Sequence, residues 1–284
     1  MGLLEGKKGI VFGVANDRSY ATHIARSLLQ QGATCAFNHL PGEKNQRRTA
    51  GALENLGLEG PLLLPCDAGS DEDLDTFFRG VGDAFGSIDF LVHSIAFADR
   101  DSLQIGGFHK TSRAAWTRAL DISSYTLVAM AQRAVDLMAD GGSIISMSYF
   151  GAEKVVPGYN VMGIAKAALE HTTRYLAVEL GQSGIRVNSI SGGPLRTLAA
   201  MAVGGIDMMR EHHARKSPLG RNIEGDEVGK TAVYLLSDLS SAVTGEIIHV
   251  DCGFHVLSCS PTCHVFNQAA DSLPPLAGST ASNQ

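Results

Sequence analysis

The sequence predicts an α/β fold, a Rossmann-type doubly wound parallel sheet in a single domain. Two observations carry that expectation. Apolar runs alternate with helix-periodic stretches along most of the chain. Several of the apolar runs are continuous rather than alternating, as a parallel sheet covered on both faces requires.

Strands are predicted at Gly9–Phe12, Thr34–Asn38, Pro61–Pro65, Phe90–His93, Ser143–Met147, Arg186–Ser191 and Glu246–Val250. Between them, apolar residues recur at helical spacing over His23–Gln31, Asp71–Phe85, Trp116–Met138 and Val161–Leu180. Right-handed crossovers then place helices on both faces of the sheet. No interior linker or internal repeat interrupts this order. Residues 1–257 read as one dinucleotide-binding domain, with a substrate-loop region at about 195–222. Residues 258–284 are rich in Ser, Ala, Pro, Asn and Gln and bury too little apolar surface to offset ordering, so a flexible tail is expected.

Composition narrows the function. The net charge of −6 over 284 residues argues against nucleic acid as the main partner. Five scattered cysteines imply no disulfide framework, and a cytoplasmic location is the expectation. The N-terminus lacks the layout of a signal peptide, and no apolar run is long enough for a membrane span.

The first strand runs into Gly13-Val-Ala-Asn-Asp-Arg-Ser-Tyr20 and then a helix, the place where a dinucleotide fold receives pyrophosphate. Gly13 and Ala15 let the backbone approach, although G-x-G-x-x-G is absent. Ser19 is expected to cap the helix and donate to phosphate, and Tyr20 opens it. Asp67, with Ala68 after it, follows the third strand and is placed to accept from an adenine amino group; a helix N-cap is the plain alternative. His93-Ser-Ile95-Ala ends the fourth strand where a ribose would lie, and Gly192-Gly-Pro-Leu195-Arg196-Thr197 follows the sixth, at the nicotinamide end. All lie at C-terminal strand ends, where open α/β sheets bind ligands. The second strand ends Phe37-Asn-His-Leu40 without the acid that selects a free 2′-hydroxyl. His39, Lys44, Arg47 and Arg48 lie nearby, in a charge run that reads as a solvated face. NADH is favoured, with NADPH as the alternative.

The decisive segment is Ser148-Tyr149-Phe-Gly-Ala-Glu-Lys-Val-Val-Pro-Gly-Tyr159-Asn-Val-Met-Gly-Ile-Ala-Lys166. A short-chain dehydrogenase has Tyr four residues before Lys, where this chain has Met162, and a Ser where it has Tyr149. Instead Tyr159 stands seven before Lys166. This Tyr…Tyr-x6-Lys pattern resembles the divergent enoyl-acyl-carrier-protein reductase branch of the short-chain dehydrogenases. So do the Gly13-x-Ala-x-x-x-Ser loop, His93-Ser-Ile-Ala-Phe-Ala98, Asp121-Ile-Ser-Ser-Tyr, Gly158-Tyr-Asn-Val-Met-Gly, Gly193-Pro-Leu-Arg-Thr-Leu-Ala199 and Val250-Asp-Cys-Gly. The likeness spans about residues 1 to 257.

Seven helical residues are about two turns, roughly 10.5 Å, against about 6 Å for four. Both spacings keep Tyr and Lys near one face. Hydride added to the β-carbon of an enoyl thioester leaves the reacting oxygen two bonds further away, which suits a tyrosine moved one turn.

The resemblance implies that Tyr159 hydrogen-bonds the thioester oxygen, that Lys166 holds the nicotinamide ribose, and that Tyr149 is a second catalytic tyrosine. It implies that Ala98 contacts substrate and that Leu195, Arg196, Thr197, Leu198 and Ala199 touch the cofactor. The substrate implied is an enoyl group on acyl carrier protein, and the assembly a homotetramer. Arg196, Arg210, Arg215, Lys216 and Arg221 are candidates for a patch facing the acidic carrier. Met162, Met201 and Met208 are candidates for an acyl channel, against ordinary core packing. His212 and His213 read as part of an exposed polar helix. No metal site is expected: His255, Cys259, Cys263 and His264 do not match a common zinc spacing. A carbonyl reductase is the first rival, and Met162 speaks against it; a non-catalytic cofactor-binding paralogue is the second.

Overall fold

The computed structural model describes residues 2–197 and 206–258. The predicted Leu198, Ala199, Met201, Cys259, Cys263 and His264, and all but the first residue of the predicted tail, lie outside the described residues.

Seven strands form one sheet in the order β3-β2-β1-β4-β5-β6-β7, every neighbouring pair parallel. They are β1 Lys8–Phe12, β2 Thr34–His39, β3 Leu62–Pro65, β4 Phe90–His93, β5 Gly142–Ser148, β6 Ile185–Gly192 and β7 Ile247–Val250. The helices are α1 Tyr20–Gln30, α2 Glu43–Glu54, α3 Asp71–Phe85, α4 Arg113–Leu120, α5 Thr126–Val135, α6 Asn160–Leu180, α7 Ile206–Lys216 and α8 Gly225–Leu236. None is long and apolar enough to cross a membrane.

Alternation along each strand divides the core in two. Val11, Phe37, Phe90, Val92, Ile145 and Ile190 face α1 and α8. Ile10, Phe12, Leu91, Ile144 and Val187 face α3, α5 and α6. Helix α3 follows from its sequence: Ser70 accepts from the Asp73 N–H at 3.2 Å, three acids occupy the first turn, and Leu74, Phe77, Phe78 and Val81 form its buried stripe. A third, smaller cluster of Leu103, Ala119, Val161, Met162 and Ala165 has Ala96, Ala98 and Tyr159 packed against it.

The structure corrects several local expectations. The predicted helix Trp116–Met138 is broken by a π-helical turn at Asp121–Tyr125. There Thr126 Oγ1 donates to the Ile122 carbonyl at 2.7 Å and sits 2.8 Å from His93 Nε2, so side chains satisfy backbone that the wide turn releases. Two helices escaped the periodicity reading. The charge run containing Arg47 and Arg48 is the solvated side of α2, which buries only Thr49, Ala52 and Leu53. Helix α8 begins at a reciprocal Glu224–Glu227 capping box.

Candidate active site

Strands β1 and β4 are adjacent, and the chain leaves them toward opposite faces of the sheet. That switch point opens a crevice at the strand ends. Gly13 lies at its floor. Its φ is +101°, and a Cβ there would stand 2.1 Å from the Ser94 carbonyl oxygen, so only glycine fits. Its N–H donates to Asn38 Oδ1 at 3.2 Å. This is a cradle in which backbone, not side chain, meets a ligand, and it fits a dinucleotide.

Ser19 occupies the N-cap position of α1 without capping it. Its hydroxyl turns back into the loop, donating to Asn16 O at 3.0 Å and accepting from Ala15 N at 3.4 Å. The expected cap is therefore replaced by a brace of the loop itself. The Tyr20 hydroxyl donates to the Gly193 carbonyl, and its ring packs on Gly192, where a Cβ would meet it at 3.0 Å. Tyr20 thus joins the first loop to the loop after β6.

Asp67 is exposed at the end of β3 and accepts from the Gly69 N–H at 3.0 Å. The helix cap, its plain alternative, falls to Ser70 instead. Ala68 is buried, Leu40 is exposed beyond β2, and Ile95 is half-buried against the core on the α3 side. Leu195 packs on the opposite core, and Thr197 is buried. Arg196 pairs with Asp207 at 2.6 Å, fastening this loop to α7.

The Tyr149 and Tyr159 rings meet edge to face with centroids 4.9 Å apart. Glycines make room: a Cβ on Gly151 would lie 2.5 Å from Tyr159 Cδ1. Burial raises both phenols, Tyr149 to about 12 and Tyr159 further, with neighbouring phenols adding to the shift at Tyr159. Both therefore hold their protons at neutral pH and are donors. The Tyr159 hydroxyl has no hydrogen-bond partner among the described residues.

Lys166 is 5 % exposed and donates to the Met147 carbonyl at 2.7 Å. Burial pushes its pKa down to about 8, opposed by the nearby charge of Glu170. Glu170, itself buried, accepts from the Ser148 hydroxyl at 2.6 Å, and burial raises its carboxyl. His93 is buried beyond Lys166, and burial, with the lysine charge second, pushes it down to about 3, so it is neutral.

The helical reading of Tyr159 needs adjustment. Helix α6 begins at Asn160, and Tyr159 is its N-cap residue. Asn160 has φ +41°, so the regular rise per residue does not extend back to the phenol.

Sequence reasoning missed other features here. Tyr149 donates to Met209 Sδ at 3.4 Å, whereas the predicted Met208 is 73 % exposed. Met162 is buried beside Tyr159 in the third cluster. His213, read as exposed, is 3 % exposed. It stacks on Phe254 at 4.6 Å and lies over Gly193. Only a helical moment could have flagged it, and α7 is too polar for a clear one. Of the proposed basic patch, Arg196, Arg215 and Arg221 are paired with Asp207, Glu211 and Glu227, and Lys216 lies 4.8 Å over the Phe254 ring. His255 is held by the Asp251 carboxylate at 2.9 Å.

A glycine cradle at the switch point, with half-buried proton-donating phenols and a buried lysine at the strand ends, defines a nicotinamide-dinucleotide-dependent oxidoreductase of the Rossmann class. The profile of the enoyl-(acyl carrier protein) reductase family matches residues 13–255, and the chain belongs to that family. It is 47 % identical over 256 residues to an NADH enoyl-[acyl-carrier-protein] reductase of Rhizobium meliloti (strain 1021), covering 90 % of this chain and 93 % of that one. To the NADPH enzyme of Staphylococcus aureus (strain MRSA252) it is 47 % identical over 254 residues, 89 % of this chain and 98 % of the other. The solved Bacillus cereus enoyl-acyl carrier protein reductase with NADP+ and indole naphthyridinone superposes with a TM-score of 0.88 at 46 % identity, covering 91 % of this chain and 100 % of that one.

Proposed function

We propose that this chain reduces the carbon–carbon double bond of a trans-2-enoyl thioester carried on acyl carrier protein, in fatty-acid synthesis. NADH is the preferred donor and NADPH the alternative. The carrying observation is the pair of edge-packed phenols, Tyr149 and Tyr159, held protonated by burial on the same strand-end edge as Lys166.

Gly13 and Ser19–Tyr20 would hold the pyrophosphate of a dinucleotide, Leu40, Asp67 and Ala68 its adenine, and Ile95, Lys166 and Leu195–Thr197 its ribose and nicotinamide. When bound, it supplies hydride to the β-carbon. The Tyr159 hydroxyl, which has no hydrogen-bond partner among the described residues, donates to the thioester oxygen as negative charge moves there. A single such donor in a dry site contributes about 3–4 kcal/mol. Lys166 positions the sugar and favours that charge. Tyr149 packs on the Tyr159 ring and ties it to Met209 of α7, so it steadies the phenol and senses the substrate helix. Ala98, beside Tyr159 in the third cluster, lends its backbone to the thioester.

Binding of an acidic carrier falls to Arg210 and Lys216, since the other candidate arginines are already paired with acids. A homotetramer is supported by an apolar groove lined by Trp116, Leu120, Tyr125 and Val128, which suits a second copy of this chain. Buried, unpaired Cys35, Cys66 and Cys252 support a cytoplasmic location. The one-domain division at about residue 257 accords with β7 closing the sheet at Val250.

The test follows cofactor absorbance near 340 nm with crotonyl or longer enoyl thioesters and with ketoacyl thioesters. Turnover of the enoyl series alone supports this reading. Turnover of ketoacyl thioesters favours a carbonyl reductase, and turnover of neither a non-catalytic cofactor binder.

A further inference from the structure

Asn160, next to Tyr159, is one of two non-glycine residues among those described with a positive φ, at +41°. Asparagine tolerates this region better than most residues, yet it is not where a helix begins by default. Gly158, on the other side of Tyr159, is also left-handed, at φ +85°. The phenol is thus carried by one residue between two unusual backbone turns. Were Asn160 to relax to helical φ, its backbone would rotate by about 100° and draw Tyr159 into the helix.

The Asn160 side chain is fully committed as a donor. Nδ2 donates to the Ser102 carbonyl at 3.1 Å and to the Gln104 carbonyl at 2.8 Å. Those carbonyls belong to the segment after β4, a 3-10 turn at Arg100–Leu103 and the residue that follows it. The segment carries Leu103, which closes the third cluster with Met162, Ala98 and Tyr159. A Cβ on Gly158 would meet Ile105 at 3.3 Å, so both left-handed residues abut it. It is also anchored by Ser123 of the π-turn, whose hydroxyl donates to Phe97 O at 3.0 Å and accepts from Phe97 N at 2.9 Å, and by Arg118, which donates to Asp99 Oδ1 at 3.0 Å.

We propose that Asn160 is a positioning residue for the reduction: one side chain fixes both the backbone that aims the Tyr159 phenol and the Ser102–Gln104 wall that faces it. This rests on the role proposed for Tyr159. Unusual backbone persists where surroundings over-determine it, often at functional sites, and two amide bonds to a facing segment are such a determinant.

The test compares the full chain with Asn160→Asp and Asn160→Gly. Both substitutions tolerate the left-handed backbone, and both remove the two donors at neutral pH. Measured are kcat, KM for a crotonyl thioester, the cofactor Kd and the melting temperature. For variants folded at the assay temperature, kcat is expected to fall about 10- to 100-fold, as for a displacement of about 1 Å, with cofactor Kd within about twofold of wild type. For Asn160→Asp the ratio of its kcat to wild type should rise as pH falls toward about 4, where about half of an ordinary aspartate is protonated and regains one donor. Wild-type kcat in both folded variants overturns the proposal, as does a loss of cofactor affinity that matches the loss of kcat. An inactive wild-type chain would instead overturn the reading of the function on which this rests.

Discussion

Lys166 offers a stability experiment whose size follows from the structure. Its ammonium lies 5 % exposed with the Met147 carbonyl as its acceptor, and burial lowers its pKa from 10.5 to about 8. At about 1.4 kcal/mol for each factor of ten, holding it charged in the folded chain costs about 3 kcal/mol at neutral pH. Between pH 8 and 10.5 the unfolded chain keeps a proton that the folded chain has released, so stability rises with pH in that window. Below pH 8 both states are protonated and the full cost remains. Against Lys166→Met, which has no such proton, the cofactor-free wild type should gain about 2 kcal/mol between pH 7 and pH 9.5. For a chain of this size that is roughly 4–8 °C in melting temperature. Paired thermal melts of the two proteins at both pH values provide the assay, since groups that do not sense the lysine charge cancel in the difference. Parallel pH profiles would show that the lysine is not held in a dry pocket, and the description of the site would fail there.

Other expectations concern the phenols and the glycines. Tyr159→Phe should lower kcat by about 10²–10³-fold while leaving cofactor affinity, by titration calorimetry, near wild type; a loss confined to cofactor binding would reassign the residue. Gly151→Ala should lower kcat although it removes no titrating group, because its Cβ would stand 2.5 Å from the Tyr159 ring and displace it; unchanged kinetics would mean that the ring's seat is not needed. Gly13→Ala should cost about 1–3 kcal/mol and weaken dinucleotide binding, because the Cβ meets the Ser94 carbonyl at 2.1 Å; a denaturant melt and a cofactor titration check both parts.

Much of the fold was legible because burial on both faces of a parallel sheet leaves continuous apolar runs, such as Ile10–Phe12 and Phe90–Val92. Helix α3 was legible because its cap, acids and apolar stripe agree. Helix α2 was not, since only Thr49, Ala52 and Leu53 are buried and the rest reads as a charge run. The π-turn at Asp121–Tyr125 leaves no mark in periodicity, because it adds one residue to an otherwise apolar-faced helix. At the site, Tyr149, Tyr159 and Lys166 stood out by residue type and spacing. The partners that aim them did not: Met209, the Met147 carbonyl and the Asn160 bonds to Ser102 and Gln104 are met only in the folded chain. Ser19 illustrates the limit of local rules, since a residue at a cap position turned its hydroxyl into the loop instead.

The most direct measurement uses NADH deuterated at the transferred position and a crotonyl thioester, with the product examined by mass spectrometry and NMR. Deuterium at the β-carbon, with a solvent-derived proton at the α-carbon, is the expected result. Deuterium on a carbinol carbon, or none in any product, would contradict enoyl reduction by this chain.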